Sequence, residues 1–275
     1  MSQRTYEAVK GFFVQESGAL RGQGELPPRF GLIDSSDDRW KTFRQEIDRL
    51  NTSSPANTQY KVIFVGRHGQ GFHNVAEGKY GTEVRPTIYW AREYGDGELI
   101  WGPDPELTEV GKDQAKSAHD AWKQELKFDI PLPGKLYSSP LTRAIHTHQI
   151  TFDSIIPKSQ RTMIVEDLRE VNGVHTCDKR RTRTYIAKKF PDYDIEEGFV
   201  EEDIYWNSEK RETHGDIDIR MKRVLDMIFD RDEEQFISFT GHGGIVGSVL
   251  RVTKHKLYVL PTGGVLPVIV KSSIS

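Results

Sequence analysis

One cysteine, Cys177, stands among 275 residues, so no internal disulfide can form and a cage of thiolate metal ligands is excluded. No stretch approaches the about 20 apolar residues that span a bilayer. An excess of either charge is missing too: 38 Lys+Arg face 41 Asp+Glu, a net charge of −3. Neither nucleic acid nor a membrane is therefore an expected partner, and recognition of anions must come from a local cluster of cations. The opening Met1-Ser2-Gln3-Arg4-Thr5-Tyr6-Glu7 has no apolar core of a secretory signal. The expectation is a soluble protein of a reducing compartment, the cytoplasm or the nucleus. Internal repeats and low-complexity tracts are absent as well, and nothing in the pattern speaks of oligomeric state.

What is present is an alternation of strand and helix signals. Residues 1–57 read as an N-terminal arm that packs on a main domain, 58–275. Within the arm, Trp40, Phe43, Ile47 and Leu50 recur at helical spacing from about Asp37, and Asn51 to Asn57 reads as a loop. Strands are expected at 61–66, 135–138, 163–165 and 235–240. Helices are expected near 71–77, from Thr108 as N-cap to Leu126, at 141–152, 182–190, 215–229 and 244–252. Val265 to Val270 reads as an edge strand, because Pro267 argues against a central place. The segment 78–106, rich in glycine, proline and aromatics, gives no regular pattern. The fold class this implies is a three-layer α/β/α sandwich with a mostly parallel central sheet.

Open sheets of this kind bind ligands beyond the carboxyl ends of their strands. The run Lys61 to Gly66 ends on Arg67-His68-Gly69, a cation beside an imidazole, with Gly69 leaving room for a ligand near the backbone. Ser138-Ser139-Pro140-Leu141-Thr142-Arg143 puts Arg143 in the first turn of a helix, whose N-terminus favours anions. Asp167-Leu168-Arg169-Glu170 follows a third strand, and Thr240-Gly241-His242-Gly243-Gly244 a fourth. Two histidines, two arginines and a glutamate would then meet on one rim.

These motifs, with Asn74, the run Leu107-Thr108…Gly111…Gln114-Ala115 and Ser139 to Ala144, resemble the histidine phosphatase superfamily, phosphoglycerate-mutase-like branch. They fall in the family's order over about residues 60 to 250, and the arm and the Tyr94-Gly95-Asp96-Gly97 insertion look most like its fungal phosphomutase-like subgroup. The resemblance implies His68 as nucleophile, forming a phosphohistidine. Arg67, Arg143 and His242 would hold the phosphoryl oxygens, and Glu170 would act as general acid and then base. No metal and no other cofactor is implied, and the partner is a small phosphorylated molecule.

Where mutase members carry Glu-Ser after Arg-His-Gly, this chain has Gln70 and Gly71, which removes a phosphate-binding hydroxyl and favours hydrolysis over transfer. Gln70, Gly71, His73, Asn74 and Gly243 are candidate substrate contacts. The cluster Lys179-Arg180-Arg181-Thr182-Arg183 suggests that Arg180 and Arg183 meet a distal anionic group. His146 and His148, two apart on a helix, make poor metal partners. The expected activity is a phosphatase, with a diphosphate ester such as thiamine pyrophosphate one candidate substrate. The alternatives are phosphoglycerate-mutase-type transfer and a non-catalytic module that binds a phospho-ligand.

Overall fold

The computed structural model describes residues 4–17, 22, 24–81 and 89–275. Seven strands, β1 (Arg4–Val9), β2 (Thr58–Arg67), β3 (Lys135–Ser138), β4 (Thr162–Ile164), β5 (Tyr193–Ile195), β6 (Phe236–Gly241) and β7 (Val265–Ile274), form one sheet in the order β1-β7-β2-β6-β3-β4-β5. The pairs β2/β6, β6/β3, β3/β4 and β4/β5 are parallel; only β7 runs against its neighbours. The helices are α1 (Arg39–Ser53), α2 (Phe72–Tyr80), α3 (Tyr89–Arg92), α4 (Glu109–Leu126), α5 (Thr142–Phe152), α6 (Arg183–Lys189), α7 (His214–Arg231) and α8 (Gly243–Val252).

Both faces of the sheet are covered, which explains why β2 reads as an unbroken apolar run rather than an alternation. Ile63 and Val65 pack with Ile217, Met221 and Leu225 of α7 and Ile245 and Val249 of α8. Val62 and Phe64 point the other way, into a cluster with Trp40, Phe43 and Ile47 of α1 and Ala118 and Trp122 of α4. Thr108 caps α4 as its sequence position suggests, its hydroxyl accepting from Gly111 N at 3.1 Å.

Four features depart from the sequence reading. Helix α1 runs to Ser53, through residues read as loop, because Asn51 and Thr52 close its last turn themselves. Asn51 Nδ2 donates to Ile47 O and Tyr60 O, and Thr52 Oγ1 donates to Asp48 O. Strand β7 is not an edge: it lies between β1 and β2. Pro267 is tolerated because the pairing with β1 starts only at Ile269, leaving β2 as its single neighbour there. β1 and β5 were not anticipated. Of the irregular segment 78–106, residues 82–88 lie outside the described residues, as do Met1 to Gln3.

The strands that matter for function end in line. Arg67 pairs with Gly241, and Ser138 with both Thr240 and Ile164. The turns after β2, β6, β3 and β4 thus emerge side by side on one rim.

Candidate active site

His68, directly after β2, is buried, and its ring centroid lies 5.0 Å from that of His242 after β6 and 5.2 Å from that of His73 on α2. His68 Nδ1 sits 2.6 Å from Gly69 O. A carbonyl only accepts, so Nδ1 carries the proton and Nε2 keeps a lone pair. Burial, with the charges of Arg143 and Arg67, holds this imidazole well below its usual range. The ring is therefore neutral, the form a nucleophile needs.

His242 is oriented by Ser139. The Ser139 hydroxyl accepts from Leu141 N at 3.3 Å and lies 2.7 Å from His242 Nε2. In the tautomer in which the hydroxyl donates to Nε2, His242 Nδ1 carries the hydrogen. That Nδ1 has no partner among the described residues, nor have Arg67 Nε, Arg143 Nε and His73 Nδ1, all buried. Buried polar atoms are nearly always paired, so a cluster of unpaired ones marks where an anion would be held.

The other edges of the two guanidiniums are fixed. Arg67 Nη1 donates to Leu260 O at 2.7 Å. Arg143 is fully buried, donating from Nη1 to Cys177 O at 2.7 Å and from Nη2 to Asp178 Oδ1 at 2.9 Å. Glu170 Oε1 accepts from Val171 N and from Gly244 N, both at 2.9 Å. Burial and then the nearby charge of Asp178 push its carboxyl up, towards the protonated form.

A pocket of about 250 Å³ opens above this cluster, lined among others by Arg67, His68, His73, Asn74, Glu170 and Arg211. Arg143 and His242 are fully buried and are not part of that lining. Asn74 also stabilises the start of α2, its Oδ1 accepting from Gly71 N at 3.0 Å.

Several expected contacts are made elsewhere. Gln70 does not line the pocket: its backbone N–H goes to Gln114 Oε1 and its side-chain oxygen accepts from Thr108 Oγ1, fastening the strand end to α4. Gly71 is buried against the His73 ring, where an added Cβ would meet Nδ1 at 2.7 Å. Gly69 makes room for the chain itself rather than for a ligand, since a Cβ there would sit 2.1 Å from Gly111 O. Gly243 faces the Arg67 guanidinium, while Gly244, which the sequence reading passed over, supplies the N–H for Glu170.

Arg180 is 3% exposed and saturated. It pairs with Glu166 and donates to the carbonyls of Val200, Glu201, Glu202 and Arg181. It is not among the residues that line the pocket. Arg183 lies exposed at the start of α6, outside the pocket. The N-terminus of α5 is likewise taken, by Asp104, which accepts from both Thr142 N and Thr142 Oγ1.

Pocket residues the sequence reading missed are Glu77, Trp90, His175, Asp178 and Arg211. They lie on α2, on the short α3 or in turns and irregular segments, where no periodicity or motif marks them. His175, Cys177 and Asp178 bring an imidazole, a thiol and a carboxylate within 4.8 Å of one another. Arg143 and Arg211 already share that carboxylate, and burial pushes the Cys177 thiol up, so the set suits a cation poorly.

A model of the histidine phosphatase superfamily (branch 1) matches residues 92–257. A protein of Arthroderma benhamiae named "Probable phosphoglycerate mutase" is 41% identical over 98% of this chain and 85% of its own length. "Probable phosphoglycerate mutase PMU1" of Saccharomyces cerevisiae is 33% identical over 86% of this chain and 85% of its own. A solved structure described as "Mycobacterial hydrolase 1" covers 77% of this chain and 91% of its own, at 18% identity and a TM-score of 0.46.

Proposed function

Because this chain belongs to the histidine phosphatase superfamily, we propose that it is a metal-independent phosphatase of small phosphorylated metabolites. One observation carries the reading. A neutral His68, with Nδ1 engaged, stands among buried nitrogens of Arg67, Arg143 and His242 that have no partner among the described residues.

In this reading His68 Nε2 attacks phosphorus in line and the bond to the ester oxygen breaks. Glu170, protonated, gives its proton to that leaving oxygen. The product is a phosphohistidine and a free alcohol. Glu170, now a carboxylate, takes a proton from water as the water attacks phosphorus. The P–N bond breaks, phosphate leaves, and both residues return to their starting forms. Arg67 Nε, Arg143 Nε and His242 Nδ1 hold the three non-bridging oxygens as charge redistributes. His73 and Asn74 serve as further contacts to the substrate.

Gly71 supports hydrolysis over mutase action. A side chain at that position would press on the His73 ring, so the hydroxyl of a serine has no place beside this histidine. The names of the relatives favour a second reading, phosphotransfer between positions of a phosphoglycerate. A pocket of about 250 Å³ is below the usual range for drug-sized ligands, about 300–1,000 Å³, and fits a small ester or the diphosphate end of a larger one such as thiamine pyrophosphate.

The test is a phosphate-release screen of sugar phosphates, nucleotides and vitamin phosphates with the native protein and His68→Ala. Release that depends on His68, with an acid-labile labelled adduct on that ring, is expected. Interconversion of 2- and 3-phosphoglycerate without free phosphate would favour the mutase. Equal rates for the two proteins would favour a module that binds without turnover.

A further inference from the structure

Arg220 on α7 lies beneath the segment that carries Glu170, and all five of its N–H donors are used there. Nε and Nη2 grip Glu212 at 2.8 and 2.6 Å. Nη1 donates to the carbonyls of Asp167 and Arg169 at 2.7 and 3.2 Å, and Nη2 to the carbonyl of Glu170 itself at 3.1 Å. Glu212 completes the clamp: Oε2 accepts from Asn172 N at 2.6 Å, and its own N–H donates to Asn172 O at 2.9 Å.

From Arg169 to His175 the chain is neither helix nor strand, so its backbone groups have no ladder to join. A planar guanidinium with five donors in a fixed fork can hold three carbonyls and both oxygens of a carboxylate at once, more than the three donors of an ammonium can reach. The carboxyl end of Glu170 is held separately, by Gly244 N at the start of α8. Helices α7 and α8 are joined in turn, with Asp218 accepting from Ser248 Oγ and from Arg251 Nη2, both at 2.6 Å. Backbone and carboxyl of Glu170 are thus referred to one helix pair.

We infer that Arg220, braced by Glu212, is a positioning residue that sets the Glu170 carboxyl at the leaving oxygen of the substrate. The inference rests on Glu170 being the proton donor. Arg220 does not touch the substrate: with Glu212 it lines a different cavity, of about 580 Å³, on the outer side of the segment. Its influence on the reaction must pass through Glu170.

The chemistry supplies a readout that a purely structural role would not move. A nitrophenolate departs without a proton, whereas an alkoxide needs one, so loss of a well-placed acid harms alkyl esters selectively. Arg220→Met, Arg220→Lys and Glu212→Gln are compared with the native protein on 4-nitrophenyl phosphate and on 3-phosphoglycerate, across pH. For Arg220→Met, kcat on the alkyl ester is expected to fall about 10- to 100-fold while the aryl ester loses much less. KM should stay within about twofold, since ground-state binding is untouched. The alkaline limb of the kcat profile should move to lower pH, because a carboxyl released from its buried place titrates nearer its ordinary range. Arg220→Lys and Glu212→Gln should show smaller effects of the same kind, and they carry the comparison if Arg220→Met does not fold.

Equal losses on the two esters, or a loss confined to KM, would overturn the positioning role, provided Glu170→Gln is itself selective for the alkyl ester. If Glu170→Gln shows no such selectivity, Glu170 is not the proton donor, and the inference falls with that assignment.

Discussion

Asp178 Oδ1 lies 2.9 Å from Arg143 Nη2, and both side chains are closed off from solvent. Its other oxygen is 3.4 Å from Arg211 Nη1, a guanidinium on the pocket wall. One carboxylate therefore orients the inner arginine, links it to an outer one, and places a negative charge near Glu170. The last effect matters for chemistry, since a like charge nearby favours the protonated acid.

Asp178→Asn keeps the shape and one hydrogen-bond acceptor but removes the charge. Glu170 is raised first by burial and second by Asp178, so its pKa should fall without returning to the ordinary value. The step that needs Glu170 protonated is lost as pH rises through that pKa. The alkaline limb of the pH–rate profile should then shift to lower pH. Unfolding in denaturant should show a loss of about 2–4 kcal/mol, the cost of a weakened buried ion pair. An unmoved limb would mean that Asp178 does not tune the acid.

Gly69→Ala tests a contact between two backbones. The new Cβ would lie 2.1 Å from Gly111 O, and the reciprocal Gly111→Ala would lie 2.0 Å from Gln70 O. Neither obstacle is a flexible side chain, so the end of β2 and the start of α4 must part. A destabilisation of about 3 kcal/mol, at the upper end of ordinary overpacking, is expected for either substitution by denaturant midpoint. Native stability in both variants would contradict the close approach.

Arg180→Met separates structure from recognition. It leaves the carbonyl of Val200 without its side-chain donor, leaves those of Glu201 and Glu202 with only the backbone N–H groups of Arg183 and Ile204, and removes one of two arginines from Glu166. Stability should fall by about 3–5 kcal/mol. KM for a diphosphate and for a monoester should change alike, if at all. A selective rise for the diphosphate would restore the distal-anion role that the basic cluster suggested.

The comparison of Arg180 with Arg211 shows what was legible. Both are arginines in polar surroundings, and only Arg180 sits in a visible basic run. Yet Arg180 is consumed by carbonyls from residues 200–202, while Arg211, unremarkable in sequence, reaches the pocket. The helices α4, α5, α7 and α8 and the strands β2, β3, β4 and β6 were readable because each shows an apolar period or a β-branched run. β5 is Tyr193-Asp194-Ile195, with a charged residue at its centre, so no apolar run marks it as the run Met163 to Val165 marks β4. β1 does alternate, with Tyr6 and Ala8 buried, but its partner β7 lies more than 250 residues away in the chain.

By itself the sequence determined the layered α/β plan and the strand-end residues His68, Arg67, Arg143, Glu170 and His242, because apolar patterning and motif order are local properties. The tertiary structure decided which polar groups are left free to meet an anion. That choice depends on partners brought from distant segments: Asp178 for Arg143, Gly244 for Glu170, Glu201 for Arg180. A side chain's hydrogen bonds are settled only once the chain has closed around it, and no spacing in the sequence encodes them.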